Sequence, residues 1–206
     1  MQRHIQDTTK QPTDVPKVTI VYAGDDLTEQ DYPNLEIVGG RTDEPAGLFN
    51  SFIEEGFEEN SIVGFVSNEY NLTTSNAISL MVEKLSQHTM VGAVYTDLII
   101  KSKMHMYDKQ WSVSQQYLPA FHPNLLKGEL IVMSPVFMKV NLLTTQRFHV
   151  MLKKLYQALF FLTISQNILS CHIPMPLFER YHIHNDGTSL EQDYRYIQKW
   201  LTQLGT

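Results

Sequence analysis

Four short apolar runs, rich in β-branched residues, recur through the first half of the chain. Lys17 to Ala23 (KVTIVYA), Leu35 to Val38, Ile62 to Val66 and Val91 to Tyr95, interrupted inside only by the polar Thr19 and Glu36, suit parallel strands covered on both faces. Between them, Ala46 to Glu55 and Thr74 to Gln87 place apolar residues at helical spacing. The first two runs have no such stretch between them. Only residues 27–34 separate the turn Gly24-Asp25-Asp26 from Leu35, where a parallel crossover usually takes about a dozen residues. The crossover helix expected there is therefore trimmed, or the connection is unusual.

The second half is less regular. Lys101 to Leu126 has aromatic residues, histidines and two prolines but no clear period, and irregular segments of that length are often functional. Leu130 to Val140 suits a strand entering a helix. Gln146 to Ser165 predicts a helix through Val150, Leu152, Leu155, Leu159 and Leu162, and Leu190 to Leu204 predicts an amphipathic terminal helix. Alternating strands and helices predict an α/β fold with a mostly parallel central sheet flanked by helices. The domain runs over residues 17–206, preceded by a polar, flexible arm over residues 1–16 that ends at Pro16. Such an arm becomes ordered when a protein partner holds it.

At 206 residues the chain suits one domain with a sizeable core. A net charge of −6 argues against a broad nucleic-acid-binding face. The single cysteine, Cys171, rules out an internal disulfide and a cysteine-based zinc site and suits a reducing compartment. The first residues lack the apolar stretch of a signal peptide, and the longest apolar run, Ala158 to Leu162, is too short to span a bilayer. Cytoplasmic or other intracellular residence is the expectation.

Candidate chemistry centres on the polar knot Ser67-Asn68-Glu69-Tyr70-Asn71, which follows an apolar run where α/β domains bind ligands. This knot, with Asp31 to Val38, Ala46 to Asn50, Val91 to Asp97, Ile173 to Leu177 and Arg180 to His184 around it, resembles a family 2 glycosyltransferase of the GT-A (Rossmann-like) fold. The landmarks cover most of the chain, in order. In that family the knot is an Asp-x-Asp motif that holds a divalent metal on a sugar nucleotide's diphosphate. Here Ser67 stands at the first aspartate and Glu69 at the second. The resemblance implies a weak Mg²⁺ or Mn²⁺ site on Glu69 and His184, a retained catalytic acid at Asp97, and a nucleotide-sugar site that includes Asp25, Arg41, Asp43 and Ser67. It also implies one cleft joining Glu69, Asp97 and His184, with Asp43 at its rim. The family's general base has no counterpart, since Leu130 to Phe178 contains no Asp or Glu. Gln157 stands near its place, and an amide does not accept a proton at neutral pH. His149, Glu129 and Asp97 are the substitutes at hand. His182 and His184, two residues apart on one strand, also have a spacing that transition metals accept.

Three functions follow as expectations. One is transfer of a sugar from a nucleotide-sugar donor to a glycan acceptor. The second is a catalytically inactive GT-A-like scaffold used for binding or assembly. The third is a glycan-binding module built on Trp111, Tyr107 and Tyr117. Under the first two, Glu69 is expected to be an exposed loop residue whose loss leaves stability nearly unchanged.

Overall fold

The computed structural model describes residues 15–103, 109–120, 134–143, 146–165, 167–183 and 187–203. In chain order the elements are β1 (Val18–Ala23), β2 (Leu35–Gly39), α1 (Pro45–Glu55), β3 (Ile62–Ser67), β4 (Tyr70–Leu72), α2 (Ala77–Gln87), β5 (Val91–Lys103), β6 (Ser112–Gln116), β7 (Phe137–Lys139), α3 (Tyr156–Ser165), β8 (Leu169–Ile183) and α4 (Gly187–Gln203). The strands join in the order β2-β1-β3-β7-β5-β8-β4, with β6 paired to β5.

The mixed α/β class expected from the pattern is present, but the expectation of a mostly parallel sheet needs correction. β1 runs parallel to β2 and β3, and β5 parallel to β8, while β3–β7, β5–β7, β4–β8 and β5–β6 are antiparallel. The four expected strands are all strands, yet β7 lies between β3 and β5. An apolar run specifies burial but not direction, so the three-residue β7 gave no sign of its orientation. β6 follows β5 too closely for the crossover that parallel pairing needs.

Alternation sends successive side chains to opposite faces, and two cores result. Val21, Val63, Phe65 and Tyr95 pack with α1, α3 and Ile197 of α4, whereas Ile20, Val66, Val94 and Leu98 pack with α2. The helix expected over Gln146 to Ser165 begins only at Tyr156. Upstream of it the chain is held in a non-helical path. Asn50 both donates to the Phe148 carbonyl and accepts from the Phe148 amide, and the buried Phe148 ring stacks on Phe160. α3 is apolar on all sides and almost wholly buried, as a helix between a sheet and another element must be.

The connection between β1 and β2 contains no helix. It is tied down instead by Asn71, whose side-chain oxygen accepts from the Thr28 amide and hydroxyl. The expected strand pair near the C-terminus is one long strand, β8, with register shifts opposite Asp97. Pro174 and Pro176 lie in the shifted stretch, and neither has an N–H for the ladder. The end of the arm is anchored: Tyr32 donates to the Pro16 carbonyl and Asn34 to the Val15 carbonyl. Residues 1–14 lie outside the described residues. Among the described residues no helix is long and apolar enough to cross a membrane.

Candidate functional site

The carboxyl ends of β1, β2 and β3 open onto a polar depression. One part, about 490 Å³, is lined by Tyr22, Asp25, Asp26, Leu27 and the backbone of Val38–Gly40. An adjoining part of about 400 Å³ shares Tyr22, Gly24, Asp25 and Asp26, and adds Arg41, Asn68, Tyr70, Asn71 and Tyr181. Glycine shapes the walls. A Cβ at Gly24 would lie 2.5 Å from the Tyr22 ring, and Gly39 has φ +111° with its Cβ position 2.5 Å from the Tyr22 carbonyl oxygen. A larger residue at either place would displace the floor.

Two of the expected nucleotide-sugar residues meet here. Arg41 reaches Asp25 at 3.5 Å, and both side chains are largely exposed. Asp43 is exposed in the loop before α1 and lines neither part. Ser67 ends β3 buried beside the Tyr156 phenol, and it lines neither part of the depression. His184 lies outside the described residues, as do Tyr107 and Glu129, so the His182–His184 pair and a metal role for His184 have no geometry here.

Glu69 corrects the expectation of an exposed loop residue. Its carboxylate accepts from Lys154 Nζ at 2.8 Å and from Arg180 Nη2 at 3.0 Å and Nε at 3.3 Å. Arg180, only 7% exposed, also lies over the Tyr70 ring. Burial alone would raise the Glu69 pKa, but the Arg180 charge and the Lys154 hydrogen bond outweigh it and hold the group below its ordinary value. The same burial pushes Tyr70 up to about 12, so its phenol stays protonated. Lys154 is itself placed from a distance. Asp193 of α4, buried, accepts the backbone N–H groups of Lys153, Lys154 and Leu155 just before α3. These amides have no partner within the helix, and a carboxylate is their best acceptor.

Asp97 is in a different setting. It is 1% exposed, accepts the Leu118 amide at 2.8 Å and bonds His172 Nε2 at 2.8 Å. His172 in turn stacks on Tyr95. Among the described residues Glu69 and Asp97 have no bonding partner in common, and neither lines the depression, although Asn68 and Tyr70 beside Glu69 do. Gln157, which stands where the resemblance puts a base, donates to the Phe65 carbonyl and ties α3 to β3. His149 bonds the Tyr196 hydroxyl on the exposed surface. Among the described residues no three His, Cys, Asp or Glu side chains are grouped as metal ligands.

Sequence reasoning missed Lys154 and Asp193, carried Arg180 only as part of a landmark, and considered His172 only as a possible zinc ligand, not as the partner of Asp97. No known family model matches the chain, and no curated protein matches it.

Proposed function

We propose that the protein is a GT-A-like relative of family 2 glycosyltransferases that binds a nucleotide-sugar and does not carry out metal-dependent transfer. The observation that carries this reading is the pairing of Glu69 with both Arg180 and Lys154. A divalent cation at that carboxylate would have to displace two cations already bonded to it, and hard cations need several oxygen ligands. The depression beside it supports retained binding. Asp25 and Asp26 present acceptors suited to ribose hydroxyls, Arg41 presents a guanidinium suited to phosphate, and the Gly39–Gly40 backbone permits close approach.

The test is a thermal-shift screen with UDP-, GDP- and CDP-sugars, with and without Mn²⁺. A nucleotide-sugar at about 100 times its Kd stabilises the folded chain by about 2.7 kcal/mol, or about 5–10 °C for a chain of this size. The expected result is one such shift that Mn²⁺ does not change. Mn²⁺-dependent turnover would replace this reading with a working transferase, and no shift with any donor would remove the nucleotide site.

One observation favours the working transferase. The Asp97–His172 pair is a carboxylate-oriented imidazole, the usual arrangement of a general base. It lies away from the depression, so it ranks second.

A further inference from the structure

Beyond the depression, the sheet continues into a ledge built by cross-strand register. Tyr181 of β8 pairs with Lys101 of β5, which pairs with Val113 of β6. Residues in register share a face, as do those two positions along. Tyr181, Lys101, Val113, Glu179 and Lys103 therefore form one surface, and Trp111 joins it. The Trp111 ring meets Tyr181 edge-on, at 5.4 Å and 83°, and Lys103 Nζ lies 4.4 Å from the Trp111 ring centroid. The Tyr181 hydroxyl donates to Glu179 and accepts from Lys101, which fixes its ring. Trp111 remains 36% exposed. Tyr181 belongs to both surfaces, since it also lines the depression.

We propose that the Trp111–Tyr181 ledge is a subsite for one sugar ring of an oligosaccharide. The proposal rests on the reading that the neighbouring depression holds a nucleotide-sugar. A pyranose has an apolar C–H face and a rim of hydroxyls. The Trp111 ring offers a partly exposed apolar face braced edge-on by Tyr181. The Lys103 ammonium over that ring supplies a donor, while Glu179, bonded to Lys101 and to the Tyr181 hydroxyl, holds the ledge in shape. Charges interleaved with the aromatics suit a small polyhydroxylated ligand better than an extended apolar partner. Continuity through Tyr181 places such a ring beside the donor site.

The full chain tests this by calorimetric titration with chito-, cello-, manno- and galacturonate tetrasaccharides, and in parallel with the nucleotide-sugars. One tetrasaccharide is expected to bind. Trp111→Ala should weaken it by about tenfold or more, Lys103→Ala should weaken it less, and Trp111→Phe should restore most of the affinity. Nucleotide-sugar binding and the melting temperature of these surface variants should be unchanged. Tetrasaccharide binding that survives both alanine changes overturns the ledge. So does a nucleotide-sugar that binds while no tetrasaccharide does, and that result leaves the proposed function standing. Tetrasaccharide binding that Trp111→Ala abolishes, with no nucleotide-sugar bound, supports the ledge and overturns the nucleotide reading.

Discussion

Asp25 and Glu69 follow neighbouring parallel strands and emerge at the same end of the sheet, yet their surroundings differ. Asp25 is 60% exposed on its side chain and meets Arg41 at 3.5 Å, the edge of bonding distance. Glu69 is held by two cations, one of them nearly buried. An exposed pair of the first kind contributes little to stability and leaves both groups open to a ligand. A half-buried carboxylate with its lone pairs already bonded holds Tyr70, Arg180 and the segment before α3 in place. The resemblance places ligand chemistry at both positions, whereas burial separates them into an open acidic depression and a closed structural cluster.

The largest expected effect comes from the support of the closed cluster. Asp193→Ala leaves three amides before α3 without their acceptor and should cost about 3 kcal/mol. That lowers the melting temperature by about 6–12 °C. Asp193→Asn keeps an acceptor oxygen and should recover part of the loss. Urea unfolding monitored by circular dichroism measures both. A change below about 1 kcal/mol for the alanine variant would mean that α4 does not hold this segment.

Of the fold, the buried strands were the legible part. β1, β3 and the first half of β5 announce themselves because full burial demands continuous apolar residues, whereas β2, expected to be covered on both faces, is the exposed edge of the sheet, with Ile37 46% exposed. β7 and β6 did not announce themselves, since strands of three and five residues carry too little pattern to set a partner or a direction. In the depression, Asp25 and Arg41 were legible because both lie in loops directly after strands. The closed cluster was hidden for a different reason. Lys154 and Arg180 stand 85 and 111 residues from Glu69, and no local pattern encodes such a contact. Gln157 shows the converse. Its position suggested a lost base, but its amide serves the packing of α3 on β3, an interaction available only after both elements are placed.

An intermediate effect is expected at Glu69 itself. Glu69→Ala leaves Arg180 and Lys154 facing each other without compensation and should cost about 2 kcal/mol, with Arg180→Ala at about 2–3 kcal/mol. The double variant should reveal a coupling of about 1–2 kcal/mol. The acid limb of the stability profile gives an independent reading. The folded-state pKa of Glu69 lies below the ordinary 4.5, so its contribution is fully present above that pH and is lost as pH falls through the folded value. Glu69→Gln should remove that part of the slope while leaving stability above pH 5 lower throughout. A variant as stable as the parent at neutral pH would show that the pairing has no structural weight, and the contrast with Asp25 would collapse.

The smallest effect on stability, and the sharpest on binding, is expected at Arg41. Its side chain is 74% exposed, and among the described residues it pairs with Asp25 through a long contact. Arg41→Ala should therefore change stability by no more than about 0.5 kcal/mol. If the depression takes a nucleotide-sugar, the guanidinium is the cation best placed to leave Asp25 and meet a phosphate, so the same change should weaken the ligand by about tenfold, with a slope against salt shallower than the parent's. Asp25→Asn sharpens the test in the opposite direction: it releases Arg41 from its partner, and any loss of affinity then reports a hydroxyl contact and not a phosphate one. Unaltered affinity in both variants, in a protein that still binds a nucleotide-sugar, would place the ligand away from the β1–β2 end of the depression, toward Asn68, Tyr70 and Tyr181.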